Sequence, residues 1–283
     1  YSLKMTKICS KIFLLLGIIF LIPTLILNIL SLTKLENDFD NTFKPVPKEL
    51  PEIYDANIAK IIDLNKLKEL IKEEVEEKKY SGIAIPILVD DIVRKKFFHG
   101  LSNIDIQTNW LLKIANKLYF EKHFSSAMQP EDIVRFNYAF CNQQAIIFQE
   151  IVKDFGFEFA SIGFNVKTKE ENFGHFVSAV KVNQDWFYFD SNLEPNYDRR
   201  DSSVFKGVLE ADKEVLKKLY PLYDFDYVTA EMISFHSLNK FPAKGGVFFQ
   251  KITLFFSNFL FLILLLFSFL LNILDKRRVN IEN

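Results

Sequence analysis

Three residues in the second half of the chain have the side chains needed for nucleophilic catalysis. Cys141, His175 and Asp190 follow one another at separations of 34 and 15 residues. A cysteine attacks as its thiolate, an imidazole takes up and returns the proton, and a carboxylate holds the imidazole in one tautomer. The rest of the sequence suggests no other reaction centre, so the prediction of an enzyme depends on this set.

The pattern around Cys141 predicts that the thiol lies at the start of a helix. One face of this segment repeats at helical spacing: Cys141, Ala145, Phe148 and Val152. The predicted helix runs over 141–155, and Gly156 suits the left-handed position that follows a helix. The unpaired N–H groups and the dipole at a helix start favour an anion. The backbone N–H of Cys141 is a candidate oxyanion donor. The candidate side-chain donors are Asn137, Tyr138 and Gln143.

His175 and Asp190 lie on two predicted strands, 174–182 and 186–192, that form a hairpin. Side chains alternate between the faces of a strand, so the register decides whether the two residues meet. A two-residue turn at Asn183 and Gln184 pairs Val182 with Asp185 and places His175 diagonal to Asp190 on one face. A three-residue turn without a bulge separates them. The prediction is therefore the two-residue turn or a compensating bulge.

The rest of the central segment predicts a mixture of helices and strands. Trp186 is predicted to lie in the core, with lining of a cleft as the alternative. Asn192 is predicted either to support the site or to make local hydrogen bonds. Residues 83–99 are apolar and then basic, and their type stays open. The remaining predictions are one long helix at 56–79, a helix at 105–119, a turn into a short helix at 129–138, a strand at 157–164, a polar loop at 167–172 and a helix at 211–220.

Two apolar runs flank the central segment. Residues 12–33 and 252–274 contain no charged side chain over 22 and 23 residues. Either run is long enough to cross a hydrocarbon layer of about 30 Å as a helix. The first run exceeds the apolar core of a usual signal peptide and has no small-residue cleavage site after it. Both are predicted to be transmembrane helices.

Basic residues near the two runs predict their orientation. Both tails, 1–11 and 275–283, carry three basic residues each, and an acidic, proline-containing linker over 34–55 follows the first run. Positive charge marks the cytoplasmic side. The tails are therefore predicted to be cytoplasmic, and the domain over 56–245 to lie outside the cytoplasm.

Composition and spacing favour some classes of partner over others. The net charge of −1 provides no electrostatic argument for nucleic-acid binding. The histidines and cysteines lack the spacing of a zinc site, and no glycine-rich phosphate loop occurs, so neither a metal nor a cofactor is predicted. Cys9 lies in the first tail, which leaves Cys141 as the one thiol of the outer segment.

The residues resemble those of a known family. The resemblance is based on three motifs: Cys-x-x-x-Ala-x-x-Phe on a helix ended by glycine, a strand with Gly-His-x-x-x-x-Val, and Trp-x-x-x-Asp. It is similar to the transglutaminase-like cysteine enzymes of the papain-like superfamily, in particular to bacterial membrane-anchored members found among envelope and polysaccharide genes. Flanking similarities include 109–112, 130–133, 190–195 and 241–243. Relatives often place a glycine close before the cysteine, whereas this chain has Asn137-Tyr138-Ala139-Phe140.

The resemblance implies an α+β fold in which the cysteine helix packs on an antiparallel sheet that carries the histidine and the aspartate. It implies acyl transfer through a thioester, with a peptide or protein amide as substrate and Cys141, His175 and Asp190 as nucleophile, base and orienter. The implied location is the bacterial cytoplasmic membrane, with the domain on the periplasmic or extracellular side. The alternative is a catalytically silent binding or scaffold module of an envelope or polysaccharide export machine.

Overall fold

The computed structural model describes most of the chain as two compact units. One unit comprises Tyr1–Asp38, Asn103–Ser126 and Gly245–Asn283, and the other Phe39–Ser102 and Ala127–Lys244. The described residues are 2–33, 53–118, 124–167, 172–192, 214, 215, 217, 234, 235 and 238–282. The predicted linker at 34–55, the predicted helix at 211–220 and residues 168–171 of the predicted polar loop lie mostly or wholly outside them.

Most helices precede the main run of strands along the described residues. The helices are α1 (Ser2–Thr33), α2 (Ala56–Ala59), α3 (Leu64–Lys78), α4 (Ala84–Lys96), α5 (Trp110–Leu118), α6 (Pro130–Ile133), α7 (Cys141–Asp154) and α8 (Lys244–Glu282). The strands are β1 (Phe98–His99), β2 (Tyr138–Ala139), β3 (Glu158–Lys167), β4 (Asn172–Val182), β5 (Asp185–Phe189) and β6 (Ser234–Phe235).

In the first unit, α1 and α8 lie side by side in opposite directions. The hydroxyl of Ser10 donates to the carbonyl of Ser268 over 2.9 Å, and the hydroxyl of Thr24 donates to the carbonyl of Ser257 over 3.1 Å. Partner numbers fall along α8 as they rise along α1, so the helices are antiparallel. A β-carbon at Gly17 would lie 2.8 Å from Leu265 Cδ2, so glycine permits this close approach.

Both helices of this pair have the length and composition of membrane spans. The stretches Met5–Leu30 and Lys244–Arg277 are long and apolar enough to cross a membrane. They contain most of the two apolar runs predicted at 12–33 and 252–274. Their outward side chains are large and aliphatic or aromatic, as lipid contact requires.

The second unit is built on a four-stranded antiparallel sheet in the order β5-β4-β3-β6. Helix α7 packs on this sheet, and its Gln149 amide donates to Ser161 over 3.1 Å and to Ser178 over 2.9 Å. All three side chains are buried, so the bonds offset the cost of removing polar groups from water. The predicted α+β class, with the cysteine helix on an antiparallel sheet, is confirmed.

The hairpin of β4 and β5 has the predicted two-residue turn. Val182 pairs with Asp185, and the register continues without a bulge to Ser178 and Phe189. Asn183, the first turn residue, has φ of 59°, a left-handed conformation that asparagine tolerates better than most residues. This register is the one that the sequence requires for His175 and Asp190 to meet.

The long helix predicted at 56–79 is wrong, because two helices occupy this stretch. Asp63 interrupts the run in an extended conformation, and its carboxylate accepts hydrogen bonds from the backbone N–H groups of Asn65 and Lys66 at 2.7 and 3.2 Å. These bonds satisfy backbone donors at the start of α3, so ending α2 and starting a new helix costs little free energy.

The helix predicted at 105–119 begins later than expected, at Trp110. The Asp105 carboxylate accepts from the Thr108 N–H over 2.7 Å in a turn, and Asn109 then caps α5 by accepting from the Leu112 N–H over 3.1 Å. The unassigned stretch 83–99 contains α4 and then β1, which pairs in parallel with β2.

A fully buried lysine lies at the end of α4. Lys96 Nζ donates to the carbonyls of Ala59 and Phe136 over 3.2 and 3.4 Å and lies 5.0 Å from the ring centre of Phe97. Burial lowers the pKa of Lys96 to about 7. The folded protein therefore binds this proton less tightly than the unfolded chain does.

This burial predicts an unusual dependence of stability on pH. Between about pH 7 and 10.5 the unfolded chain holds the Lys96 proton and the folded protein does not, so the free energy of unfolding should rise with pH. Lys96→Met should remove that rise and stabilise the protein by about 1–4 kcal/mol below pH 7. Chemical unfolding of the full-length protein in detergent at several pH values measures both effects. Lys95→Met, at the partly exposed neighbouring position, is the control; a destabilised Lys96→Met protein at low pH would contradict the prediction.

Candidate active site

Cys141 is the first residue of α7, as predicted. Phe140 precedes it in an extended conformation, and the helix ends before Gly156, whose φ of 79° is left-handed. The thiol side chain is partly buried. The N–H groups of Cys141 and Asn142 open the helix, where no earlier turn supplies carbonyl partners, so they provide positive potential beside the sulfur.

His175 and Asp190 meet at the end of the β4–β5 hairpin. The imidazole Nε2–H of His175 donates to Asp190 Oδ2, and both side chains are buried. The other carboxylate oxygen of Asp190 accepts from the backbone N–H of Asn192 over 3.0 Å. Two donors therefore fix the carboxylate, and the carboxylate in turn fixes the orientation of the ring.

The thiol of Cys141 lies close enough to the His175 ring to raise the pKa of the imidazole. Burial lowers the pKa of His175, but the charge of the Asp190 carboxylate, the hydrogen bond to it and the interaction with Cys141 raise it more strongly, and the pKa lies above its usual 6.5. The ring is therefore an imidazolium near neutral pH, which favours a thiolate beside it.

Gln143 holds the start of the cysteine helix in place. Its carbonyl oxygen accepts from the backbone N–H groups of Phe140 and Ser102 at 3.1 and 3.2 Å. Its amide donates to the carbonyls of Ser102 and Ala127 over 2.9 and 2.8 Å. Both N–H bonds of this fully buried side chain are thus directed at backbone carbonyls. Gln143 is a positioning residue here, and its amide has no N–H left to serve as the oxyanion donor considered from the sequence.

Of the other predicted site residues, two lie just before the cysteine helix and one lies near the hairpin turn. Asn137 and Tyr138 precede the cysteine helix, and the Asn137 carbonyl accepts from the Phe98 N–H over 2.8 Å where β1 meets β2. Trp186 pairs with Lys181 near the turn of the hairpin. It is four residues, or about 13 Å, along the strand from Asp190, so the hairpin does not bring it to the triad.

The comparison with known families agrees with this architecture. A family model of the transglutaminase-like domain matches residues 57–202, just over half of the chain. The chain belongs to the transglutaminase-like family. The family and the papain-like core predicted from the sequence are thereby confirmed. No curated protein and no solved structure matches the chain.

The transglutaminase-like domain places a second histidine beside the site, which the sequence did not indicate. His99 Nδ1–H donates to Asn192 Oδ1 over 2.8 Å, and its ring lies 5.1 Å from that of Phe140. Burial lowers the pKa of His99, partly opposed by its bond to Asn192, so the ring is neutral near pH 7. His99 reaches this position because β1 pairs in parallel with β2, just before Cys141. No local sequence signal indicates such pairing.

A small, partly open polar pocket adjoins this histidine in the transglutaminase-like domain. Among the described residues, Gln144 Oε1 and Asn192 Nδ2 are buried without a hydrogen-bond partner, and both side chains line the pocket. A buried acceptor and a buried donor at one pocket fit a water molecule or an amide group. Its lining residues are Ile53, Arg94, Phe97, His99, Gln144, Ser191 and Asn192.

The hydrogen bonds around Asp190 extend to α4. Ser191 Oγ donates to the buried carboxylate of Asp90 over 2.6 Å. The residues on both sides of Ser191 are thus tied to separate elements, Asp190 to β4 and Asn192 to β1. Among the described residues, no group of three or more His, Cys, Asp or Glu side chains is arranged to hold a metal ion.

Proposed function

We propose that this protein is a thiol enzyme that transfers acyl groups from amide or peptide bonds. The supporting observation is the bond from His175 to Asp190 together with the influence of the Cys141 thiol, at the start of a helix, on the pKa of His175. A cysteine that only filled core space would need neither an imidazolium beside it nor a carboxylate behind that ring.

The reaction proceeds in two steps on these residues. The thiolate of Cys141 attacks the amide carbonyl carbon, and His175 gives its proton to the leaving nitrogen as the C–N bond breaks. This leaves a thioester on Cys141 and a neutral His175. Water or an amine then attacks the thioester, His175 takes the proton of the attacking group, and the thiolate is released. Asp190 remains ionised and orients the ring throughout.

The oxyanion that forms in each step is stabilised by backbone donors. The N–H groups at the start of α7, beginning with that of Cys141, lie beside the sulfur and carry the positive end of the helix dipole. Tyr138 and Asn137 stand just before the helix and are the remaining side-chain candidates for substrate contact. Asn192, which carries an amide in the adjoining pocket, is a candidate for binding the substrate amide.

An activated ester tests the acyl-transfer step without knowledge of the natural substrate. The Cys9→Ser protein, in which Cys141 is the one thiol, should release nitrophenol from a p-nitrophenyl ester and carry an acyl group on Cys141 by intact mass. Hydroxylamine or an added amine should discharge that group and allow further turnover. In the Cys141→Ser protein, Cys9 serves as an internal reference thiol.

The rate comparison decides between the enzyme and the alternative role. Acylation of Cys141 near pH 6.5 should exceed that of Cys9 and of glutathione, and His175→Gln should remove the excess. If Cys141 acylates no faster than glutathione, the proposal fails, and a silent binding module of an envelope or polysaccharide machine becomes the better description.

The proposed location is the bacterial cytoplasmic membrane, with both termini in the cytoplasm and the domain on the periplasmic or extracellular side. The antiparallel pair of α1 and α8 supports termini on one side, and the basic tails support the cytoplasmic side. In intact cells, a membrane-impermeant maleimide should label Lys72→Cys in a Cys9→Ser/Cys141→Ser background and spare Cys9 in a separate Cys141→Ser protein. The reverse pattern would invert the orientation.

A further inference from the structure

A short helix inside the transglutaminase-like domain sequence packs on the membrane-spanning pair. Residues 103–126 fall within the family match at 57–202, yet they belong to the compact unit formed by α1 and α8. Helix α5 is the regular part of this segment. Its indole at Trp110 donates to the Ser257 carbonyl over 3.0 Å and stacks on Phe20 with ring centres 5.8 Å apart.

The contacts with α8 locate this segment relative to the apolar run. The ends of the segment lie at the level of Gln250, whose amide donates to the carbonyls of Phe124 and Ser126 over 3.2 and 2.6 Å. Trp110 reaches Ser257, which lies six residues beyond Lys251, or about 9 Å along the helix. This depth corresponds to the boundary between headgroups and acyl chains, where tryptophan is enriched.

The polar groups carried to this depth have partners. Asn109 donates to the Gln250 carbonyl over 3.2 Å and to Thr253 Oγ1 over 2.9 Å. Its own oxygen accepts from Ser257 Oγ over 2.9 Å while it caps α5 through the Leu112 N–H. Irregular backbone at membrane depth is tolerated where such bonds replace water.

The outer face of α5 is apolar and uncovered within this unit. Ile114 and Leu118 are 46% and 66% exposed, and Ile106 just before the helix is 53% exposed. Large apolar side chains are exposed on α1 and α8 as well, to which α5 is attached through Trp110. Lys117 follows Ile114 by three residues and lies on the same side of the helix, where its long stem lets the charge reach the headgroup level. Lys113, by contrast, points about 100° around the helix from Ile114.

We propose that α5 is a third membrane element, a shallow interfacial helix whose Ile114 and Leu118 contact acyl chains of the outer leaflet. At nine residues and about 13 Å it is too short to cross the bilayer. It lies in the interface, anchored by Trp110 and Asn109 to the second span. This proposal depends on α1 and α8 crossing a membrane and is independent of the chemistry at Cys141.

Lipid-borne quenchers test the depth of the helix directly. Single-cysteine variants at Ile114, Leu118, Lys113 and Leu262 are made in the full-length Cys9→Ser/Cys141→Ser protein, labelled with bimane and reconstituted into phosphatidylcholine vesicles. The lipids carry a nitroxide either near the carbonyl end or near the methyl end of an acyl chain. Positions 114 and 118 should be quenched several-fold more by the shallow nitroxide than position 113, and position 262 most by the deep one.

The control positions separate the ways in which the proposal fails. Equal quenching at 113, 114 and 118 overturns it. A fluorophore at 114 and 118 that is shielded from an aqueous quencher but not quenched by either lipid also overturns it and assigns the face to a protein partner, such as a second copy of the chain. If position 262 is not quenched, α8 does not cross the membrane and the proposal loses its premise. The p-nitrophenyl ester assay of Cys141 does not depend on the spans, so the two failures can be told apart.

Discussion

His175→Ala should slow alkylation of Cys141 by about 10- to 100-fold near pH 6.5, because the thiol then loses the imidazolium that favours its ionised form. Since the pKa of His175 is raised, the imidazolium persists as pH increases past 6.5. The unmodified site should therefore react with iodoacetamide at a nearly constant rate between about pH 6 and 8. In the variant, the rate should rise about tenfold per pH unit towards about pH 8.5, as for an ordinary thiol.

A second, partly buried histidine provides a matched control for this experiment. His99 lies beside the site, its Nδ1–H donates to Asn192, and burial lowers its pKa, so it supplies no imidazolium near neutral pH. His99→Ala in the Cys9→Ser protein should change the alkylation rate by only a few-fold and leave its pH profile flat. The assignment of His175 as the base is wrong if the two alanine variants behave alike, or if the unmodified site already follows the profile of a free thiol.

Gln143→Leu should destabilise the sheet-containing unit by about 3–5 kcal/mol, since it removes a fully buried amide while keeping a side chain of similar size. The substitution leaves the N–H groups of Phe140 and Ser102 and the carbonyl of Ala127 without the partner they have now. Urea unfolding followed by Trp186 fluorescence in a Trp110→Phe background reports on this unit, because the chain has two tryptophans.

The neighbouring glutamine is the matched control. Gln144 is also buried, but its side chain makes one hydrogen bond, from Nε2 to the Ala139 carbonyl over 3.0 Å. Gln144→Leu should therefore cost about 1 kcal/mol. Equal losses for the two variants would show that burial of any amide at this helix start, and not the four bonds of Gln143, decides stability.

The sequence predicts the central part of the candidate site because local rules determine it. Helical spacing with a terminal Gly156 fixes the extent of α7, and a turn at Asn183 fixes the hairpin parity that lets His175 reach Asp190. Each of these features depends on residues close together in the chain. For this reason, the contact between two residues 15 positions apart is predictable without a structure.

The features that the sequence did not predict come from long-range contacts. His99 reaches the site through parallel pairing of two-residue strands, and Gln143 is satisfied by loop backbone groups that lie 41 and 16 residues away. The apolar stripe of α5 predicts a helix but not the span that it contacts. The break at Asp63 is different, because an aspartate before an apolar helical run is a recognisable start signal.

Attachment of residues 103–126 to α1 and α8 has a practical consequence for producing this protein. An excised fragment that runs from the linker to the last residue before α8 would leave Trp110 without Ser257 and Phe20, and Asn109 without Gln250 and Thr253. Such a fragment would expose the apolar surface of residues 103–126 to water and is expected to aggregate on expression. Soluble expression calls for removing or recoding this internal segment, and trimming the two ends alone is not enough.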